Sequence, residues 1–590
     1  MRKYYLFILT LVFTSGTLFA QVAGDYRTKD ANAYYFWNTS STWEKYDGST
    51  WAATTDIPGV TTGAITNNVY IRKLTYLRTF ITVNATGKIW IVDNGTVTLH
   101  IGLGTSISGG ISIYGDIDIQ SGGNAKLQIW DGSYIRVKPG GKITDNSGGG
   151  ITNTSATGII LESVSGTENA SLITSSSVSG TVEQYISPSR WHLIGVPMSG
   201  VTATDFWDGS NDVYLKSYNS PGGGWSGYIM DETTAMNSKE GYEVWETAAF
   251  TFNKSGTFNT GNQTLTVASG GSVDPDWNLL ANPYPCGIDW AQVSDKTNVV
   301  GSTFYVYDGT TYLTHNGTTG TASSSIIPPF TGFFVQYASA GDIALTNSEK
   351  AHPGSGNEFY KNTQADTYTN HIKLEADFNG QKAYTLFYQE TGATNGKDTQ
   401  YDAPMLFSES DSYLDVFTFA GDQKTAINIY GEYPYTMEIG FKVPPGGGDI
   451  TITPTDLRNL DANLLVYLED KVTGDYINFL ENPSYTFTAV EGTSTDRIYL
   501  IINNNVGIDD IDKNSVQVYT NKNTLYLNFA DHVFDGHLNV YNLLGQNVFT
   551  TNVSNNSYHP IYLNQPTGYY FVELISKNES IRQKVFIQQN

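Results

Sequence analysis

One cysteine, Cys286, stands in 590 residues, so no intrachain disulfide framework supports the fold. Cys286 lies in Asn282-Pro283-Tyr284-Pro285-Cys286-Gly287 with no histidine close by, which suits a buried structural thiol rather than a nucleophile. Charge is also scarce: 15% of residues are charged, and the 57 acidic residues outnumber the 33 Lys and Arg to give a net charge of -24. No basic cluster is large enough to displace counterions from a phosphate backbone, which excludes nucleic acid as a partner. Long apolar runs are missing too. The longest, residues 4–13, is shorter than the ~20 residues a membrane-spanning helix needs, so no transmembrane helix is expected in the mature chain.

Strand and turn formers are plentiful instead, with 40 Tyr, 27 Phe, 11 Trp and 59 Gly. The expected fold class is all-β. A chain this long divides into several cores. Residues 1–20 have the form of a secretory signal peptide: Arg2 and Lys3, the apolar run, then Ala20 before Gln21. Residues 21–66 hold Trp37, Trp43 and Trp51 and suit a cap over the end of a repetitive array. Residues 67–180 carry short alternating apolar pairs behind glycines, including Ile89/Ile91, Ile111/Ile113 and Ile135/Val137. Ile89, Ile113 and Ile135 follow one another at 24 and 22 residues, a spacing that predicts a parallel β-helix-like solenoid, with an antiparallel meander as the alternative. Asp116 and Asp118 alternate with Ile117 and Ile119 and fall on the solvated face.

Residues 181–350 contain a duplication. Trp191-His192-Leu193-Ile194-Gly195-Val196-Pro197 corresponds to Trp277-Asn278-Leu279-Leu280-Ala281-Asn282-Pro283, Asp205 with Trp207 to Asp289 with Trp290, and Gly241-Tyr242 to Gly332-Phe333. Two tandem Trp-containing β repeats follow. Trp191, Trp207, Trp277 and Trp290 are either core anchors or ligand-facing aromatics. Asp208, Ser210 and Asp212 alternate as calcium ligands do, but lack the glutamate that closes an EF-hand loop. Calcium is the one cofactor they could hold. His192, His352 and His371 form no zinc set, and neither a nucleophile elbow nor a phosphate loop occurs. No catalytic constellation is readable, and the chain is not expected to be an enzyme.

Residues 360–505 alternate as a β-sandwich would, through Ile372, Leu374, Ala376 and Phe378 and again through Met437, Ile439 and Phe441. Residues 506–514 form an acidic linker with Asp509, Asp510 and Asp512. Residues 515–590 predict seven short strands at 516–520, 524–529, 537–541, 547–553, 558–563, 569–575 and 581–587.

Within that last segment the run Val540-Tyr541-Asn542-Leu543-Leu544-Gly545-Gln546-Asn547-Val548, the turn Pro566-Thr567-Gly568-Tyr569-Tyr570 and the terminal Lys584-Val585-Phe586-Ile587 resemble the type A C-terminal sorting domain of the type IX secretion system. Gln546 stands where arginine is commoner, and Thr567 separates the usual Pro-Gly pair. The resemblance implies an immunoglobulin-like sorting domain with Gly545, Val548, Pro566, Gly568, Tyr569 and Lys584 as motif residues. It also implies a translocon and a sortase-like peptidase as partners, and delivery to the outer surface or exterior of a Gram-negative bacterium after passage through the periplasm. Surface lipopolysaccharide is a further implied partner, and an extracellular polysaccharide is the partner that ligand-facing tryptophans would suit. The Trp-rich opening and the array resemble N-terminal regions of large surface proteins with this sorting domain, and residues 360–505 resemble the sandwich often found upstream of it. The Trp-x-Leu-x-x-x-Pro element resembles a module of exported proteins from the same bacterial group. A structural or adhesin-like surface protein is the resulting expectation, with a carbohydrate-binding accessory protein or a β-helix polysaccharide-degrading enzyme as alternatives.

Overall fold

The computed structural model describes residues 21–92, 97–102, 109–121, 124–153, 157–164, 168–207, 209, 212–220, 223–268, 276–354, 369–408, 410–504, 517–528, 535–554, 559–576 and 580–588. The expected signal peptide, the linker 506–514, and Asp208 and Ser210 lie outside them. The described residues are strands, turns and two 3-10 turns, and none is α-helical. The chain forms two compact units, residues 1–364 and 365–590.

In the first unit, strands from residue 68 to 164 pass in rotation over three sheets, and two later strands extend the first and the third. Asn68–Ile71, Lys88–Ile91, Asp116–Ile119, Lys142–Asp145 and Ser171–Ile173 stack in the first. Leu74–Leu77, Val97–Ile101, Ala125–Ile129 and Ile151–Asn153 stack in the second, and Phe80–Val83, Gly110–Ile113, Tyr134–Val137, Ile159–Val164 and Ser179–Ile186 in the third. All of these neighbours pair in parallel. The two-residue period turns every second side chain inward, and identical registers align those side chains in columns. Val69, Ile89, Ile117, Ile143 and Leu172 make one column, and Ile81, Ile111, Ile135 and Ile159 another. Each buried isoleucine contributes roughly 1.5–3 kcal/mol.

This register corrects the sequence spacing. Ile89 stacks on Ile117, whereas Ile113 and Ile135 belong to two different columns of the third sheet. The glycines explain the corners: a Cβ on Gly87, Gly115 or Gly141 would lie 2.2, 2.1 and 2.3 Å from the carbonyl oxygens of Ile65, Gly87 and Ile113. Adjacent turns of chain approach there more closely than any side chain permits. Trp37 and Trp43 are fully buried and meet edge to face at 4.8 Å in the core that the columns continue. Asp145 ends the column of Ile71, Ile91 and Ile119. It is satisfied there by the hydroxyls of Ser147, Thr174 and Ser176.

The third sheet passes directly into the duplication, because Ser179–Ile186 pairs antiparallel with Phe250–Thr257. Each repeat builds a four-stranded antiparallel sheet with the same strand order: Trp191–Ile194, Tyr242–Glu246, Val213–Tyr218 and Trp225–Tyr228 in the first, and Asp276–Ala281, Gly332–Tyr337, Val299–Tyr307 and Tyr312–His315 in the second. Their registers coincide, with Trp191 opposite Trp245 and Trp277 opposite Gln336. The contacts between the repeats are reciprocal. Ile194 bridges Thr331 while its counterpart Leu280 bridges Glu240, and the paired glycines Gly241 and Gly332 sit against Leu279 and Ile194. Such mutual use of equivalent positions is that of an isologous, pseudo-two-fold pair.

In the second unit, eleven strands from Thr369–Phe378 to Gly492–Asn504 form one sheet wrapped about a core that includes Ile372, Leu374, Met437, Ile450 and Leu500. All seven strands expected at the C-terminus are present. Gln517–Asn521, Thr524–Asn528 and His559–Tyr562 form one sheet, and Asn547–Ser554, Asp535–Tyr541, Gly568–Ser576 and Ser580–Ile587 form the other. Leu525, Leu538, Val540, Val572, Leu574 and Ile587 fill the space between them, giving the immunoglobulin-like sandwich.

Candidate functional site

In the C-terminal sandwich the motif residues have local causes. Gly545 takes φ +78° in the hairpin turn, where the Asn542 side-chain oxygen accepts the N–H groups of Leu544 and Gln546. Leu543 and Leu544 project from that turn, 64% and 84% exposed. Val548 is partly buried against the core. The Pro566 carbonyl accepts the Tyr570 hydroxyl at 2.7 Å, and Gly568 opens the following strand opposite Ile587. Tyr569 meets Phe586 edge to face at 5.1 Å, with the Lys584 ammonium 4.1 Å above its ring. The six motif residues therefore divide between two turns, one outward face and, for Val548, the edge of the core.

A family described as a domain of unknown function (DUF8693) matches residues 105–502, more than half of the chain. The chain belongs to that family. The DUF8693 match takes in most of the three-sheet coil, both repeats and the eleven-stranded sheet. A secretion system C-terminal sorting domain matches residues 517–588, the seven-stranded sandwich just described. That domain makes the chain a cargo of the type IX secretion machinery, delivered to the cell surface or beyond. No curated protein matches the chain.

The four tryptophans singled out in the sequence occupy different settings. Trp290 is fully buried, donates its indole N–H to the Ser302 carbonyl at 2.7 Å, and offers no ring to a ligand. Trp277 is half-buried in the aromatic layer between the repeats, where Tyr218 and Trp225 meet Phe334 at 4.9 and 5.9 Å, and Trp191 is half-buried beneath the Lys216 ammonium. Trp207 alone is exposed, at 45%. The buried counterpart of Trp290 is Phe206, fully buried against Phe252 and Phe330, so the sequence match to Trp207 is off by one residue. Asp212 is exposed. Among the described residues no group of His, Cys, Asp and Glu is clustered as metal ligands are. Burial pushes the Cys286 thiol up to about 12.

Lys216 occupies an aromatic cage, its ammonium 4.1 Å from the Trp191 ring and 5.1 Å from that of Trp225, and pairs with Glu243 at 2.7 Å. The second repeat has Tyr305 and Phe334 at those two positions, facing one another across the same strands.

The outward faces of the coil were not legible as sites. On the first sheet, Lys88 bridges Asp118 at 3.1 Å and Asp116 at 3.8 Å. On the second, Tyr76, His100 and Trp130 stack face on face at 4.8 and 6.1 Å, so each ring covers its neighbour. On the third, Arg136 donates to both Glu162 and Glu183, and Lys138 donates to Glu162 at 2.7 Å. Burial alone would raise the Glu162 carboxyl, but hydrogen bonds from Lys138 and Arg136 outweigh it and hold Glu162 below the usual carboxylate range. Phe80 and Tyr134 flank Gly110 on this same sheet.

Proposed function

We propose that the chain is a displayed, non-catalytic, adhesin-like scaffold in which the three-sheet coil is a parallel β-helix, followed by sandwich modules and ended by the sorting domain. The sorting domain carries this reading, since it sends the whole chain to a place where its ligands are extracellular. The columns of isoleucine support it, because a coil stacked in register is a stiff spacer. Glycoside cleavage needs one carboxyl kept protonated beside one kept ionised. On the third sheet Lys138 and Arg136 hold Glu162 below the usual carboxylate range, so Glu162 is unsuited to be the protonated member. Under this reading the linker 506–514 is where a sortase-like peptidase cuts the covalent link between the scaffold and its sorting domain, the scaffold ending anchored to surface lipopolysaccharide or released.

The test is adhesion of intact cells, with and without the chain, to surfaces coated with polysaccharide or matrix protein, alongside release of reducing ends by the purified chain. Loss of adhesion in cells without the chain, with no reducing ends released, is expected. Polysaccharide turnover with unchanged adhesion would contradict the proposal.

A further inference from the structure

We propose that the outward face of the third coil sheet binds a neutral polysaccharide chain, with the Phe80 and Tyr134 rings as the stacking platform. Arg136, Lys138, Glu162 and Glu183 serve as the hydrogen-bonding groups beside it. The inference rests on surface display, since only a displayed chain meets an extracellular polymer.

Phe80, Gly110 and Tyr134 hold the same outward position on three consecutive strands. A Cβ on Gly110 would lie 2.7 Å from Phe80 Cδ1 and 3.2 Å from Tyr134 Cζ. Both rings therefore lean across the glycine and occupy the space its side chain would take. Their centroids are 5.8 Å apart at an interplanar angle of 39°, so neither covers the other as the stacked rings of the second sheet do. Phe80 is left 57% exposed. An uncovered aromatic face carries the negative part of the ring quadrupole, to which the weakly positive C–H groups of a pyranose ring are complementary. The ring planes of the second sheet, spent on one another, have no such capacity.

Arg136 lies two residues beyond Tyr134 on the same strand and the same face, about 7 Å along it. Glu162 and Glu183 follow on the next two strands, in register with Lys138 beside Arg136. Sugar hydroxyls both donate and accept, and this cluster offers both functions within the reach of adjacent residues of one chain. Its two cations and two anions cancel, so no local field favours an anionic polymer, and the net charge of -24 on the whole chain repels one. Neutral pyranose polymers are the class that fits.

The full chain, secreted and purified, is run through native gels containing mannan, β-1,3-glucan or hydroxyethylcellulose, with polygalacturonate as the anionic comparison. Retardation by at least one neutral polymer is expected. Phe80→Ala should weaken it about ten-fold, while Phe80→Trp, which restores a platform, retains it, as does Lys382→Ala on the other unit. Equal thermal unfolding midpoints for Phe80→Ala and the unaltered chain confirm that the loss is local; if Phe80→Ala unfolds early, Arg136→Gln takes its place with the same expectation. No retardation by any neutral polymer, equal retardation of the variants, or retardation by polygalacturonate alone would overturn the site. Surface labelling of cells carrying the unaltered chain separates the two readings: display of a chain that retards no neutral polymer overturns this site alone, whereas absence of the chain from the surface overturns the display reading.

Discussion

Asp402 is 1% exposed and accepts the backbone N–H groups of Ile429 at 2.9 Å and Asp398 at 2.8 Å. Burial outweighs those bonds and pushes its carboxyl up to about 7. Asp415, held by the Ser408 hydroxyl at 2.9 Å, is pushed up to about 6 for the same reason. Both folded values lie above the ~3.9 of an unfolded aspartate, so the fold binds these protons more tightly than the open chain does. Their contribution to stability is complete below about pH 4 and is lost as pH rises towards 7. In the first unit the sign reverses. Burial holds His352 down to about 3, helped by Lys142 and Lys88, and His192 down to about 4, so their neutral forms favour folding above about pH 6.5, an advantage lost as the medium acidifies. Calorimetric unfolding from pH 5 to 8 should show the second unit losing stability with rising pH while the first gains. Asp402→Asn should flatten the slope of the second unit and leave the first unchanged. Parallel slopes in both would show that these groups do not govern the response.

Among the elements, the two repeats offer an internal comparison. Where the first buries the Lys216–Glu243 pair, the second places Tyr305 and Phe334. A buried charge deprived of its partner typically costs about 3–5 kcal/mol, whereas exchanging the whole pair for apolar groups is neutral or stabilising. Lys216→Met should therefore lower stability by about that amount. The double variant Lys216→Tyr with Glu243→Phe, which copies the second repeat, should recover most of it in denaturant titrations. A double variant no more stable than Lys216→Met would show that the aromatic cage requires the charge. The duplication was readable because Trp-x-Leu-x-x-x-Pro survives in both copies. The reciprocal glycine contacts were not, since Gly241 and Gly332 approach partners that only the packing of the repeats brings near. In the coil, the alternation at Ile89/Ile91 or Ile135/Val137 fixed which side chains point inward. It could not fix which strand lies on which, because the corners between strands differ in length and so break the regular spacing. Phe80 and Tyr134 were for that reason invisible as a pair: their adjacency exists only through the register over Gly110. The sorting domain was read almost completely, since its hairpins pair neighbours in sequence and its turn residues are local.

At the scale of the whole chain, four tyrosines join the eleven-stranded sheet to the sorting domain within the second unit. Tyr476 stacks on Tyr467 at 4.8 Å and on Tyr526 at 5.5 Å, Tyr519 stacks on Tyr526 at 5.3 Å and on Tyr467 at 5.9 Å, and the Tyr519 hydroxyl donates to that of Tyr476 at 2.9 Å. With each stacked pair worth about 0.5–1.5 kcal/mol beyond its buried area, the sorting domain should stay bound after its covalent link is cut. A protease site inserted within 506–514 and cleaved in the purified chain should leave both parts co-eluting. Tyr519→Ala with Tyr526→Ala should separate them, and separation without those substitutions would show that the stack does not hold the domain. The central claim, that residues 515–590 direct the scaffold to the cell surface, is tested most directly by deleting them and fractionating the cells. The truncated chain should accumulate in the periplasm, and its arrival at the surface or in the medium at the level of the full chain would contradict the account.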